Sequence, residues 1–253
     1  MDVQHTDVVT ESEAHGEARV TVAISLYNYR QYITECLQSV HDQTLEHLDL
    51  VVVDDRSDDD GQQEVCRWLS VNGHRFGRYA LLKHRTNRKL PATRNSAFAR
   101  ARTEYVFVLD ADNLLYPRCL NQLCAALDES AASFAYCYLE QFGDASGLHN
   151  LSPWNPSTFK NGNTIDAMAM LRRSVWESAG GYSTDMPAMG WEDFDLWFKV
   201  ARIGGWGIQV PEILGRYRVH HDSMIWTVTN PSADALWRHL RAKYPEAFAS
   251  SDV

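Results

Sequence analysis

Tyr105-Val106-Phe107-Val108-Leu109 runs directly into Asp110-Ala111-Asp112-Asn113. An apolar run closed by two acids one residue apart describes a buried strand that delivers carboxylates to the edge of a sheet. Open α/β sheets keep their ligands at that edge, beyond the carboxyl ends of the strands. Carboxylates are hard oxygen ligands. Two at one strand end suit Mg²⁺ or Mn²⁺, which keeps some water and takes further oxygens from a phosphate. A strand that closes in a solvated Asp turn has the same residues, so this segment by itself leaves both readings open.

The flanking sequence places that strand in a series. Val20 to Ser25 reads as a buried strand, followed by Ile33, Leu37 and Val40 at helical spacing. Leu50 to Val53 is a second strand closing on Asp54-Asp55, and Val65, Trp68 and Leu69 mark a helix that stops at Gly73. Tyr79 to Lys83 is a third strand, and Ala92 to Arg102 is helical and leads into the acidic strand. Pro117 opens a helix with Leu120, Leu123, Cys124 and Leu127 on one face, and Phe134 to Leu139 is a further strand. The alternation predicts an α/β domain with a mainly parallel central sheet and helices on both faces. Residues 140–163, around Trp154 and Phe159, carry no period and are expected to be a functional loop or a disordered one. An ordered version, with Trp154, would serve as an acceptor lid. Helix returns over 174–205 around a Gly180-Gly181 stop, and Asn230-Pro231 opens a last helix presenting Leu236, Trp237 and Leu240.

With 253 residues the chain can bury one substantial core. Its net charge of −9 argues against nucleic acid and anionic membranes as partners, since both need clustered Lys and Arg. No apolar run approaches the roughly 20 residues that span a bilayer, so membrane contact would be peripheral. Met1 to Ala18 is polar and acidic, reads as a loose tail, and lacks the basic start and apolar stretch of a secretory signal. The five cysteines form no Cys-x-x-Cys and fall mostly on apolar faces, as core thiols in a reducing, cytoplasmic setting do.

Four clusters could carry chemistry. Asp54-Asp55 either accepts hydrogen bonds from a base or ribose, or caps the polar turn of Ser57 to Asp60. Arg94-Asn95 lies early in a helix, where an Arg fork and free N–H groups suit a phosphate, though a surface Arg reads the same. Glu192-Asp193 after Gly190-Trp191 either complements a helix dipole or supplies a general base, with Trp191 as an apolar wall for a sugar. A helix N-terminus would lower the pKa of such a base, against what catalysis needs. Tyr217-Arg218-Val219-His220-His221 could add an imidazole ligand. No Gly-x-Gly-x-x-Gly, Gly-Lys-Ser/Thr or Gly-x-Ser-x-Gly motif is present.

Taken in order, these segments resemble the family 2 glycosyltransferases of the GT-A fold. The likeness runs through Val20 to Asn28, Gln43-Thr44, Asp54-Asp55-Arg56-Ser57, Ala92-Thr93-Arg94-Asn95 and Asp110-Ala111-Asp112. It continues through Arg172-Arg173 to Gly181-Tyr182, Trp191-Glu192-Asp193-Phe194-Asp195-Leu196, and Tyr217-Arg218-Val219-His220 to Ser223. The resemblance implies a metal-dependent, inverting enzyme that moves a sugar from a nucleoside-diphosphate sugar to an acceptor hydroxyl, with Mg²⁺ or Mn²⁺ as cofactor. It implies Ser25, Tyr27 and Asp55 around the nucleoside, and Arg94 at the diphosphate or donor sugar. Asp110 falls at the ribose or the metal's water shell, Asp112 and His220 on the metal, Asp193 as the base, and Trp191 and Glu192 toward the acceptor. The acceptor is a glycan, a lipid-linked glycan or a small molecule. The chain divides into the tail (1–18), a nucleotide-sugar-binding half (19–140), an acceptor and catalytic half (141–228), and a C-terminal helix and tail (229–253). Ser25 replaces a common proline, and Arg56 and Lys89 each replace a glycine, which puts the shapes of those two turns in question. Two other readings are open: a haloacid-dehalogenase-like phosphatase, with Asp110 as nucleophile and Asp112 as acid/base, and a nucleotide-sugar binder without turnover.

Overall fold

Strand and helix alternate along the first half of the chain as the apolar pattern predicts, with one addition at the front. The computed structural model describes residues 5–13 and 16–249. β1 (Thr6–Glu11) precedes β2 (Val20–Leu26), α1 (Arg30–His41), β3 (Leu48–Asp54), α2 (Gly61–Asn72), β4 (Tyr79–His84), α3 (Lys89–Arg100) and β5 (Tyr105–Asp110). β4, β3, β2 and β5 lie side by side and parallel. The expected loose tail is therefore corrected over Thr6–Glu11, which pairs antiparallel with β4. Its half-exposed residues give no apolar run to read. Ion pairs from Arg85 to Asp7, and from Arg78 and Arg100 to Glu11, hold it to the edge instead. Within that tail, Met1 to Gln4, Ala14 and His15 lie outside the described residues, as does the chain end from Ser250.

Alternation along the parallel strands divides their side chains between two cores. Val20, Val22 and Ile24 of β2, with Phe107 and Leu109 of β5, face α1 and α2 through Ile33, Leu37, Val65 and Leu69. Ala23, Val51, Val53, Val106 and Val108 face the opposite way, against Ala97 and Phe98 of α3. A strand covered on both faces reads as a continuous apolar run. That is why β2 and β3 are buried at every position and were legible as strands.

The second half supplies β6 (Leu114–Leu115), α4 (Cys119–Asp128), β7 (Phe134–Gly143), β8 (Gly147–His149), β9 (Ala169–Arg172), α5 (Arg173–Ser178), α6 (Glu192–Arg202), β10 (Gly207–Val219), α7 (Ala233–Lys243) and α8 (Pro245–Phe248). The sheet runs β1-β4-β3-β2-β5-β9-β7-β10-β6, with β8 on β7. It is mixed: parallel through its centre, with β9 antiparallel between β5 and β7. The expected unbroken loop of 140–163 is a hairpin of β7 with β8 followed by a 3-10 turn at Pro156–Asn161. The Trp154 ring is half-buried and packs edge-on against Phe134 and Phe159. Strand order reverses between β2 and β5: β3 and β4 follow β2 to one side, and β5 returns to the other. The crevice beyond the carboxyl ends at such a switch point is where open α/β sheets place ligands. Ser25 and Asp110 are register partners at that point.

Candidate active site

One cavity of about 790 Å³ opens beyond those strand ends. Ser25, Tyr27, Asp55, Arg94, Asp110, Asp112, Trp191, Glu192, Asp193 and His220 all line it. The sheet edge contributes one wall, here the strand side. The segment from the end of β8 to β9, the loop before α6, the α6 N-terminus and the segment after β10 contribute the other, the helix side.

On the strand side the charges are heavily compensated. Asp55 is buried, with Oδ1 accepting from the Arg88 N–H at 2.7 Å and Oδ2 from the Lys89 N–H at 2.8 Å. Lys89 and Arg56 have φ of 71° and 65°. Both turns thus keep the left-handed backbone that a glycine would favour, at a cost of roughly 1–2 kcal/mol for a side-chain-bearing residue. Tyr27, 45% exposed, stands open at the rim. Arg94 is buried and its fork is committed: one terminal nitrogen donates to both Asp110 oxygens at 2.9 and 3.1 Å, the other to Glu192 Oε1 at 2.7 Å. Arg94 lines the cavity with its guanidinium already shared by two acids, so it clamps β5 to α6, and those acids hold its charge above the usual range against the penalty of burial. Asp110 would have to break a two-bond pair with Arg94 to attack phosphorus, which counts against the phosphatase reading.

Asp112 projects from the turn after β5, where the Asn113 N–H donates to the Asp110 carbonyl. Burial pushes its carboxyl above the usual range, and a hydrogen bond from His220 Nε2 to Oδ2 at 3.2 Å opposes that. The same bond raises the imidazole. The rings of Tyr29 and Tyr32 lie against His220. Arg218 donates to the Asp112 carbonyl and Asn113 side chain and ties the end of β10 to this turn. Among the described residues no three His, Cys, Asp or Glu form a group able to hold a metal ion alone. Asp112 with His220, and Asp110 beside them, is a sparse oxygen-rich donor set. It fits a cation that completes its shell with water and a ligand's phosphate.

The helix side carries acids with few partners. Glu192 is buried and lines the cavity, engaged by Arg94 and by the Gly190 N–H at 2.8 Å. Asp193 accepts from Asn163 Nδ2 at 2.9 Å and from the Phe194 N–H at 2.7 Å. Its carboxyl stands well above the usual range, because burial and the neighbouring Glu192 and Asp166 outweigh Arg94. The lowering expected from a helix start is overridden. Trp191 lines the cavity while packing edge-on against Trp237. Beyond His220, a π-helical turn at Ile225–Thr229 roofs this side and presses Thr229 against Gly190. A Cβ on Gly190 would fall 1.9 Å from Thr229 Oγ1.

Asp166, Asn163, His149 and Gln141 also line the cavity and were not singled out in the sequence. Asp166 is raised by burial and faces His149 at 3.9 Å. An isolated Asp before a short strand carries no pattern; only the fold brings it near Asp193.

Solved structures share this architecture. Staphylococcus aureus TarS 1–349 in complex with UDP-GlcNAc matches with a TM-score of 0.68 over 83% of this chain and 61% of that one, at 18% identity. The mannosyltransferase PcManGT of Pyrobaculum calidifontis in complex with GDP-Man and Mn²⁺ matches with 0.65 over 82% and 59%, at 24% identity. The fold is thus of the glycosyltransferase GT-A type. The sequence model of glycosyl transferase family 2 matches residues 21–182, and the chain belongs to that family. EpsE of Bacillus subtilis (strain 168) is 26% identical over 210 residues, 81% of this chain and 74% of EpsE. Other curated relatives are longer, and the chain spans 18% to 41% of three of them. The family match ends before Asp193 and His220, so the helix side rests on geometry and on the motifs quoted above.

Proposed function

We propose that this protein transfers a sugar from a nucleoside-diphosphate sugar to an acceptor hydroxyl, with inversion at the anomeric carbon. The observation that carries the reading is that Asp112 and Asp193, far apart in sequence, open on one cavity at the strand-order switch. Asp193 takes the proton of the acceptor hydroxyl as its oxygen attacks. A general base should have a pKa near the working pH, and the buried, acid-rich surroundings move this carboxyl in that direction. Asn163 orients it through Oδ2. A single displacement inverts the configuration. Ser25, Tyr27 and Asp55 hold the nucleoside, and Trp191 walls the sugar. Arg94 keeps Asp110 and Glu192 in place and lowers the net negative charge that a diphosphate meets. Asp112 and His220, with Asp110 beside them, would hold Mg²⁺ or Mn²⁺, as Mn²⁺ accompanies GDP-Man in PcManGT. That ion would supply charge neutralisation for the leaving diphosphate.

Thermal shift with UDP, GDP and their sugars, with and without Mn²⁺, tests the donor. The expected result is stabilisation by a nucleoside diphosphate that grows with Mn²⁺ and is lost in Asp112→Ala. The anomeric configuration of the product, read by NMR, tests inversion, and a retained product would overturn it. An acceptor that is a glycan, lipid-linked or free, fits the breadth of the cavity. Membrane contact would be peripheral, since no helix among the described residues is long and apolar enough to cross a bilayer.

A further inference from the structure

The strand side of the cavity is shaped by two residues that do not line it. His84, the last residue of β4, is fully buried. Its Nδ1 lies 2.6 Å from Asp55 Oδ1 and its Nε2 2.9 Å from Ser96 Oγ. A carboxylate only accepts, so Nδ1 carries a proton, and Nε2 shares a hydrogen bond with the Ser96 hydroxyl. Three elements are thereby joined in one chain: α3 through Ser96, β4 through His84, and the end of β3 through Asp55. Asp55 passes the constraint to the next turn. Its two oxygens accept from the N–H groups of Arg88 and Lys89, and its carbonyl accepts from the Asn87 amide at 3.0 Å. Lys89 is left-handed, a state that a side-chain-bearing residue keeps only where its surroundings impose it. Asp55, Asn87, Lys89 and Leu90 line the cavity, and His84 and Ser96 do not.

We propose that His84 and Ser96 are positioning residues for nucleoside binding, fixing the Asp55 carboxylate and, through it, the Asn87–Lys89 turn. A carboxylate has about four acceptor positions. The His84, Arg88 and Lys89 N–H groups occupy two on Oδ1 and one on Oδ2. One position on Oδ2 is left for an N–H or hydroxyl of the nucleoside. Without the imidazole, Asp55 is held only by the backbone of a strained turn, and carboxylate and turn relax together. Ser96 acts one step further out, by fixing the ring's rotation. The connectivity is that of a hydrolytic triad, but Ser96 does not face the cavity, which leaves it a positioning role.

The proposal rests on the transferase reading, and calorimetric titration of UDP and GDP in Mn²⁺ separates the two. If the wild type binds neither nucleotide, the reading itself fails. If it binds, His84→Ala is expected to weaken the nucleotide about tenfold, the loss of one charge-assisted hydrogen bond. The donor KM rises by a similar factor while kcat at saturating donor stays within about twofold, since the acceptor side is untouched. His84→Asn, whose amide can donate to Asp55 in place of Nδ1, should recover most of the affinity. Ser96→Ala should cost about threefold, a neutral hydrogen bond at one remove. Nucleotide affinity unchanged in His84→Ala, with only thermal stability lost, would overturn the proposal. Should His84→Ala fail to fold, Ser96→Ala decides, and an unchanged affinity there overturns it equally.

Discussion

The two walls of the cavity handle charge in opposite ways. On the strand side every acid but one has a cation or several N–H groups: Asp55 with His84 and two backbone donors, Asp110 with Arg94. Asp112 has only His220 and is the acid left for a cation. On the helix side Glu192 takes the remaining arm of Arg94, and the buried Asp193 lies beside the half-buried Asp166. The contrast separates two tasks. A compensated wall is rigid and recognises a ligand. An undercompensated wall stores basicity, because each buried carboxylate holds its proton more tightly than it would in water.

Changes on the helix side should cost rate and not stability. Asp193→Asn is expected to lower kcat about 10²–10⁴-fold, the usual worth of a positioned base, with nucleotide affinity retained in calorimetry. It should also raise the melting temperature near neutral pH. Folding raises this carboxyl's pKa, so its contribution to stability is full below the unfolded pKa and lost as pH rises through the folded one. The gain in melting temperature should therefore shrink as pH falls, and a variant less stable than wild type at neutral pH would erase the contrast. The strand side should show the reverse. Arg94→Ala breaks a buried pair on two acids and is expected to cost about 3–5 kcal/mol in denaturant unfolding.

A finer test alters basicity without removing the base. Asn163→Ala deletes an N–H donated to Asp193, which stabilises the charged form. The acid limb of kcat should move up by about one pH unit, with donor KM unchanged. An unmoved limb would detach Asn163 from the base. The smallest effect belongs to the turns. Lys89→Gly should relieve left-handed strain, offset by glycine's freedom in the unfolded chain, for a net gain of about 0.5 kcal/mol. A loss would mean that the lysine side chain contributes contacts of its own.

The strand side was legible in the sequence because it is built at strand ends. A continuous apolar run closed by acids marks β3 and β5, and covered parallel strands leave no other pattern. β10 was missed because Pro211 and Gly215 interrupt it. The structure absorbs them as register shifts between Val210 and Ile213 and between Ile213 and Gly215. Such residues ordinarily argue against a strand interior. β1 was missed because a backbone ladder to β4 and ion pairs hold it, and its half-exposed residues form no apolar run. On the helix side Glu192-Asp193 could be named, but Asp166, Asn163 and His149 could not, since loops with no period bring them in. The commitment of Arg94 to two acids was equally hidden: a sequence shows an arginine suited to phosphate and not the carboxylates that reach it first. The positive φ of Arg56 and Lys89 could be asked of the sequence, because both depart from a glycine in the motifs it resembles, but only the backbone answers it.

The kcat–pH profile at saturating donor and Mn²⁺ tests the stored basicity of Asp193 most directly. A single acid limb is expected, well above the ordinary aspartate range, and the residual activity of Asp193→Asn should not show it. A limb within the ordinary range, or an Asp193→Asn variant that transfers sugar at the wild-type rate, would contradict it.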